Sequence, residues 1–276
     1  MGAVFRKHPK QAQPVPSAQV HTEHPAQGFD PRHLSKDLVV WCRADAGVET
    51  NGSTVSKWRD MSGRGQDFSQ ATASSQPTPK KAGLGGHPEI VWDDDRMTGS
   101  SLFGMLSDPG EWTIFVVMGE GWQDSSGGGS GASHSYSNSP NVLTANPSIG
   151  YIGICIVSTD RGGFGGGIYN SGYKDSEPVT AGKIGQGDPA IFALYSDSGG
   201  IKTRQNGVDG TTATAADLVS TATTLQLGDA ADNNNPDDYY DGPLSEVMIF
   251  NGVLTQNEFS IVESYLSDRY GIRVGQ

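Results

Sequence analysis

The sequence predicts an all-β fold, and its composition and its hydrophobic pattern both support this prediction. The chain has 276 residues, of which 38 are glycine, and only 18% of its residues are charged. Abundant glycine and Ser/Thr/Asn-rich connections are typical of short strands joined by tight turns. Seven short apolar runs follow one another, at 38–42, 89–92, 112–118, 149–157, 191–195, 225–228 and 245–250. Because all-β sandwiches of this size often form one domain, we predict a single domain over residues 37–276.

A hairpin and two long loops separate these runs. Asn206-Gly207 favours a type I′ turn within the stretch 202–214, because both residue types tolerate the positive φ angles that this turn requires. Two Gly/Ser-rich segments, 119–140 and 160–167, are longer than tight turns. Loops of that length are usually functional or mobile, so candidate binding residues are sought there.

One short helix is predicted near the C-terminus. Thr255 and Glu258 have the spacing of a capping box, which marks the start of a helix. Gly271 can adopt the left-handed conformation that ends one. Apolar residues between these points recur at i, i+3 and i+7 and form one stripe: Phe259, Val262 and Leu266. The stripe is expected to pack on the outside or the edge of the β-structure.

Residues 1–36 differ from the rest of the chain. They contain five of the 15 prolines and carry five Lys/Arg against two acids, whereas the remainder carries 14 bases against 29 acids. The segment has no hydrophobic period with which to build a core. It is either a disordered leader or an extended, Pro-rich arm that anchors the protein to another subunit, and we favour the arm. The residues expected to make that contact are Phe5, Arg6, Lys7, Lys10, Phe29 and Arg32.

Several functions are not expected from this composition. The formal net charge of −12 argues against a nucleic-acid partner. No apolar run approaches the roughly 18 residues of a membrane span, and none follows Met1 as in a signal peptide. Cys42 and Cys155 lie in apolar runs and are expected to be buried small hydrophobic residues rather than a disulfide pair.

Four stretches resemble the laminin-G-like, concanavalin A-like lectin/glucanase superfamily, in versions found in bacterial surface proteins and phage particles. They are LVVWCRADAGV (38–48), VSKWRDMSGRGQDFSQ (55–70), QPTPKKAGLGGHPEIVWDD (76–94) and the region 225–272. The resemblance covers roughly residues 37–274. It implies an antiparallel β-sandwich, or jelly roll, of two curved sheets with about 12 to 14 strands. Trp41 and Trp58 would then be packing residues, and Asp60 and Ser62 would hydrogen-bond nearby backbone in a turn.

Sugar-cleaving members of this superfamily need two carboxylates, supplied there by a Glu-x-Asp-x-x-Glu run on one strand. Only Glu258 and Glu263 have the five-residue spacing of such a pair. Ser260 occupies the aspartate position, and all three residues lie on the predicted helix. We therefore predict no catalytic residues and no enzymatic activity.

Glu246 is the only carboxylate of the apolar run 245–250 and is expected to be a scaffold residue. Strict alternation places it on the same face as Leu244, Met248 and Phe250. A buried carboxylate must be hydrogen-bonded, so backbone N–H groups, a tyrosine or an arginine should lie beside it.

Calcium is the only metal that the resemblance suggests, and no other cofactor is expected. Lectin-like relatives often bind Ca²⁺ through Asp and Asn oxygens at an edge of the sandwich. Asp93, Asp94 and Asp95 form one acidic cluster, which is either a site or a solvated loop. The same two interpretations hold for the second acidic loop, whose candidate ligands are Asp229, Asp232, Asp237 and Asp238.

Glycan binding requires exposed aromatic rings beside polar groups. Five loop aromatics are candidates: Trp122, Tyr136, Phe164, Tyr239 and Tyr240. The alternative is that these rings pack the loops down or meet a neighbouring subunit.

The predicted function is a non-enzymatic virion structural protein, either a capsid decoration or a fibre-like module. Residues 1–36 would anchor it to capsid or tail subunits, in a homo-oligomer or multi-copy assembly. It would be made in the host cytoplasm and displayed on the virion surface. The alternative is a carbohydrate-binding adhesin or receptor-binding protein that recognises host-surface glycans, and a third interpretation is a bacterial surface or secreted module.

Overall fold

The computed structural model describes residues 28–100, 111–122, 141–146, 151–157, 163–169, 173–176, 187–213, 224–228 and 240–275. Within these ranges the chain forms seventeen strands and one α-helix. In chain order the strands are β1 (Asp37–Arg43), β2 (Val48–Asn51), β3 (Thr54–Trp58), β4 (Phe68–Ser69), β5 (Thr78–Lys80), β6 (Glu89–Trp92), β7 (Met97–Gly99), β8 (Trp112–Met118), β9 (Asn141–Asn146), β10 (Tyr151–Val157), β11 (Gly163–Tyr169), β12 (Tyr173–Ser176), β13 (Ala190–Asp197), β14 (Gly200–Gln205), β15 (Val208–Ala213), β16 (Thr224–Leu227) and β17 (Gly242–Asn251). The helix α1 spans Gln256–Tyr270.

The strands form two antiparallel sheets that pack as a sandwich, which confirms the predicted fold class. The first sheet has the order β15-β14-β13-β8-β17-β6-β5, and β1 pairs with β17. The second sheet has the order β12-β11-β10-β9-β16-β7-β4-β3-β2. The described part of the chain thus holds more strands than the about 12 to 14 that the resemblance implied.

The main core lies between the two sheets. Trp58 and Phe68 of the second sheet are fully buried there against Trp112, Phe192 and Ile249 of the first. Burial of such aromatic side chains dominates the stability of a core. Cys42 is also fully buried in this core, as its apolar surroundings in the sequence predicted.

The outer face of the first sheet carries a second core, which α1 covers. The rings of Phe115 and Phe259 lie 5.6 Å apart between the sheet and the helix. Val262 and Leu266 are fully buried beside them, which confirms the predicted apolar stripe. A buried ion pair also ties the helix to β14, because the Arg204 guanidinium donates to the Glu263 carboxylate over 2.9 and 3.0 Å. The first sheet is therefore buried on both faces.

Local signals in the sequence formed as predicted. The Thr255 hydroxyl accepts from the Glu258 N–H, the Glu258 carboxylate accepts from the Thr255 N–H, and Gly271 ends the helix at φ 71°. Asn206 and Gly207 have φ angles of 49° and 80° between β14 and β15, as a type I′ turn requires.

The turn after β3 is held by one carboxylate. Asp60 accepts hydrogen bonds from the backbone N–H groups of Trp41, Ser62 and Gln66 over 2.9, 2.8 and 3.0 Å. The Ser62 hydroxyl donates to the Val39 carbonyl over 3.2 Å. This confirms the turn role predicted for Asp60 and Ser62 and fixes the turn against β1.

Residues 28–36, which the sequence assigned to the arm, lie against the domain itself. The rings of Phe29 and Tyr265 are 4.5 Å apart, and the Ser35 N–H donates to Glu258 over 2.6 Å. Arg32 pairs with Asp30 over 2.6 Å. These contacts are made within one chain. The other anchoring candidates lie outside the described residues: Phe5, Arg6, Lys7 and Lys10.

Among the described residues, no helix has the length and apolar composition needed to cross a membrane.

Candidate functional site

A cleft of about 460 Å³ opens where the β5–β6 hairpin meets the end of α1. The segment after β8 and the residue before β13 complete its wall. Its polar and aromatic lining consists of Lys80, Glu89, Glu120 and Tyr270. The remainder of the lining is small or apolar: Ala82, Gly83, Leu84, Gly85, Pro189 and Gly271.

A charged pair forms the inner part of this cleft. Lys80 and Glu89 are directly paired across β5 and β6, and the Lys80 ammonium donates to the Glu89 carboxylate over 2.7 Å. The Leu84 N–H donates to the other oxygen of Glu89 over 3.2 Å. The side chain of Glu89 is 1% exposed and that of Lys80 is 43% exposed. The pair therefore joins a fixed, buried carboxylate to a cation that reaches solvent.

Two glycines make room for this carboxylate. A Cβ atom at Gly83 would overlap the Cδ atom of Glu89, and a Cβ atom at Gly119 would overlap one of its oxygens. Any larger residue at either position would displace Glu89. The glycines on both sides of the carboxylate thus have a steric role at the cleft.

The rest of the wall supplies hydrogen-bond acceptors. Glu120 is exposed, and Tyr270 and Gly271 belong to the last turn and the cap of α1. Gly85 packs so closely against this turn that a Cβ atom there would overlap the Arg269 carbonyl oxygen. Because the C-terminal end of a helix carries partial negative charge, this part of the cleft favours hydroxyl donors and cations.

Glu89 and Glu120 were not predicted as site residues, because the carboxylate pair of the superfamily lies on one strand, whereas Glu89 begins β6 and Glu120 follows β8. The available signal was the stretch KKAGLGGHPE (80–89), in which a lysine and a glutamate flank a glycine-rich hairpin. That pattern alone does not tell which other segments close the cleft.

Two predicted sugar-stacking aromatics are core residues. Trp122 is 3% exposed and its indole N–H donates to the Asp188 carbonyl over 2.7 Å. Tyr240 is 0% exposed and its hydroxyl donates to the Pro243 carbonyl over 3.0 Å. The prediction of exposed rings is therefore wrong for both, because each ring fills the inter-sheet core. Tyr136, Tyr239 and the side chain of Phe164 lie outside the described residues.

The acidic cluster at residues 93–95 serves a turn. The Asp93 N–H donates to Asp95 over 3.1 Å, and the Asp94 N–H donates to Asp241 over 3.1 Å. Burial raises the pKa of Asp95 to about 6. Within the described ranges, no group of three or more acidic, histidine or cysteine side chains is placed to hold a metal. The loop candidates Asp229, Asp232, Asp237 and Asp238 lie outside those ranges, so calcium binding there stays a prediction.

Glu246 lies sealed between the first sheet and α1. The Trp41 indole N–H donates to it over 2.6 Å and the Tyr270 hydroxyl over 2.8 Å. The Tyr265 hydroxyl lies 3.2 Å from both oxygens, and the Arg269 Nε atom lies 3.8 Å away. The side chain is 1% exposed, and its burial raises its pKa to about 7. The predicted partners, tyrosine and arginine, are confirmed, while the indole partner was not foreseen.

The strand that carries Glu246 does not alternate strictly. Its register against β8 shifts between Leu244 and Glu246. As a result Leu244 packs in the core between the sheets, whereas Met248 and Phe250 pack under the helix. The prediction that all four side chains share one face is therefore wrong for Leu244, because a β-bulge inserts one residue before the carboxylate.

No family model matches the chain, and no curated protein matches it. Several solved structures do. One is domain 4 of AbnA, a GH43 extracellular arabinanase from Geobacillus stearothermophilus, in complex with arabinotriose, at 15% identity and a TM-score of 0.57 over 83% of this chain and 98% of that one. Another is the binding domain of Paraclostridial Mosquitocidal Protein 1, at 11% identity and a TM-score of 0.54 over 82% and 52% of the two chains. A GH54 α-L-arabinofuranosidase mutant matches at 14% identity and a TM-score of 0.54 over 80% and 52%.

These comparisons bear on the fold. The chain shares the β-sandwich architecture of domains from carbohydrate-active proteins, which is consistent with the expected concanavalin A-like sandwich. It spans nearly all of the arabinanase domain and about half of each of the other two structures. A shared fold does not by itself carry a function, and the phage origin stays a prediction.

Proposed function

We propose that this domain is a non-catalytic carbohydrate-binding module and that the cleft beside the β5–β6 hairpin is its binding site. The fixed Lys80–Glu89 pair inside the cleft is the observation that carries the proposal. The proposal is also supported by the sandwich fold, which the domain shares with an arabinanase domain solved with arabinotriose. This function matches the adhesin alternative drawn from the sequence.

The chemistry of the cleft suits sugar hydroxyl groups. Each hydroxyl both donates and accepts, so it can donate to the exposed carboxylate of Glu120 and accept from the Lys80 ammonium, which reaches solvent. Hydrogen bonds to ionised groups are about twice as strong as neutral ones. Because the Lys80 ammonium and the Leu84 N–H already hold Glu89 in place, little ordering of this pair is needed when a ligand binds.

The same arrangement disfavours glycosidase chemistry. A retaining or inverting enzyme needs one carboxyl group free to donate a proton and a second free to attack or to activate water. Glu89 is instead engaged by an ammonium group and a backbone N–H. Only Glu120 remains uncommitted among the carboxylates that line the cleft.

A blocking variant tests the site directly. Ala82 lines the cleft and is exposed, so Ala82→Tyr should fill the cleft without disturbing the core. Ala71, beside β4, is also exposed, and Ala71→Tyr is the matched control. Glycan-array screening followed by calorimetry, with arabinotriose as the first probe, should show binding that Ala82→Tyr removes and Ala71→Tyr retains. Equal binding by both variants would place the site elsewhere, and an array without any bound glycan would refute the function.

A hydrolysis assay tests the non-catalytic part. The glycans that bind should be recovered intact after prolonged incubation with the protein, as measured by the release of reducing ends. Release that Glu120→Gln abolishes would show the domain to be an enzyme.

The assignment to a virion surface stays a prediction from the sequence. It rests on the contrast between the basic segment 1–36 and the acidic remainder of the chain. Since Phe29 and Ser35 contact α1, a deletion should stop at residue 27 to leave the domain intact. If the arm is an anchor, protein lacking residues 1–27 should fail to co-sediment with virions. Undiminished co-sedimentation would refute anchoring.

A further inference from the structure

The cleft carries an excess of negative charge. Two carboxylates, Glu89 and Glu120, line it against one ammonium group, that of Lys80. The Lys80 charge is already committed to Glu89 over 2.7 Å. In the described part of the chain, no ion pair neutralises Glu120. A ligand that enters therefore meets one compensated carboxylate and one uncompensated carboxylate.

The end of α1 adds to this excess. Tyr270 and Gly271 bring the C-terminal turn of the helix to the cleft wall, and that end of a helix carries partial negative charge. Arg269 lies in the same turn, but its guanidinium pairs with Asp45 and stands 3.8 Å from Glu246. Its charge is thus already shared between two carboxylates, neither of which lines the cleft.

The surrounding domain has the same sign. Residues 37–276 carry 14 bases against 29 acids, so the long-range field also repels anions. The cleft volume of about 460 Å³ lies toward the lower end of the roughly 300–1,000 Å³ typical of ligand sites. That volume suits one end of a glycan or a short oligosaccharide.

We infer that the cleft selects uncharged and amino-bearing sugar residues and excludes sugars that carry carboxylate or sulfate groups. This inference rests on the proposed function and adds the ligand class to it. Uronic acids, sialic acids and sulfated sugars would place an anion beside Glu120, where the only cation among the lining residues is Lys80, which is already paired with Glu89. An amino sugar would instead place an ammonium group next to that carboxylate.

The test compares glycans of different charge on one array and then in solution. The array holds neutral, amino, uronic, sialylated and sulfated glycans, and wild-type protein should bind members of the first two classes only. For each neutral glycan that binds, calorimetry compares the glucose, glucuronate and glucosamine forms of its terminal residue. Glu120→Gln should reduce the preference against the acidic form by about three- to tenfold, the size expected for one charge pair across a few ångströms of partly solvated space. Glu120→Lys should reverse the preference.

Glu111, beyond the other end of β8, is a matched control. Glu111 is exposed at the opposite end of β8, more than about 20 Å from Glu120 along the strand. Glu111→Gln removes the same charge and should leave the preference unchanged. High salt should weaken the preference of the wild type, because screening acts on exposed charges.

The possible outcomes distinguish the charge selection from carbohydrate binding itself. Binding of acidic glycans as strongly as neutral ones would overturn the charge selection and leave carbohydrate binding standing. Equal effects of Glu111→Gln and Glu120→Gln would also overturn it, because the preference would then reflect the net charge of the protein. Absence of any bound glycan would refute the proposed function, and this inference with it.

Discussion

The buried carboxyl group of Glu246 should make the stability of this domain fall as the pH rises from about 5 to about 8. Its pKa is raised from the ordinary value of 4.5 to about 7, and burial is the main cause. Hydrogen bonds from Trp41 and Tyr270 and the charges of Arg269 and Arg43 oppose that rise. Glu246→Gln removes the titration, while the amide oxygen can still accept from the Trp41 indole.

The sign and size follow from proton linkage. Between pH 4.5 and pH 7 the folded protein holds a proton on Glu246 that the unfolded chain has released, so raising the pH favours unfolding. The contribution of this group is complete below the unfolded pKa and is lost as the pH passes the folded pKa. Between the two pKa values, each rise of one pH unit costs about 1.4 kcal/mol. The free energy of unfolding should therefore fall by about 2.5 kcal/mol between about pH 5 and pH 8, and most of this loss comes below the folded pKa of about 7.

Urea denaturation at several pH values measures this effect. Other groups also titrate in this range, and burial raises the pKa of Asp95 to about 6, so the informative quantity is the wild type minus Glu246→Gln. That difference should fall with rising pH. Parallel curves for the wild type and Glu246→Gln would show that burial does not perturb this carboxyl group, and the reasoning would fail.

Three further predictions concern local features. Thr255→Ala removes the hydroxyl that accepts from the Glu258 N–H and should lower the free energy of unfolding by about 1 kcal/mol in urea, while Thr255→Ser should restore most of it. Gly207→Ala places a Cβ atom at φ 80°, 3.0 Å from the Gly275 nitrogen, and should lower the free energy of unfolding by about 1 kcal/mol or more in the same assay. Gly63→Ala has the same kind of backbone strain, at φ 90°, but its Cβ atom meets open space. Comparing the two variants therefore separates the cost of the φ strain from the cost of the close contact. Burial raises the pKa of the Cys42 thiol well above its usual range, so a thiol reagent should modify Cys42 only after unfolding, and rapid modification of the native protein would contradict its burial.

The features that the sequence predicted well are those set by neighbouring residues. A capping box depends on two side chains three positions apart, so Thr255 and Glu258 were enough to place the start of α1. The type I′ turn depends on the φ preferences of Asn206 and Gly207 alone. The carboxylate of Asp60 is likewise fixed by its own turn and by β1 beside it.

The features that the sequence predicted poorly depend on how distant segments meet. Trp122 stands in a polar, glycine-rich stretch, yet its ring packs in the core between the sheets, where the carbonyl of Asp188, 66 positions away, accepts its N–H. The bulge before Glu246 is set by pairing with β8, and no residue type within β17 predicts it. The cleft joins four segments, so no local pattern contains it.

Two buried carboxylates on the first sheet differ in the exposure of their partners, and for this reason we assign one to stability and propose the other for binding. Glu246 and Glu89 are each 1% exposed. The donors to Glu246 are an indole and two phenols sealed under α1, whereas Glu89 is bound by an ammonium group that reaches solvent. Tyr270 connects the two, because it donates to Glu246 over 2.8 Å and also lines the cleft. A change at Tyr270 would therefore alter stability and binding together, and only peripheral positions such as Ala82 and Glu120 can separate them.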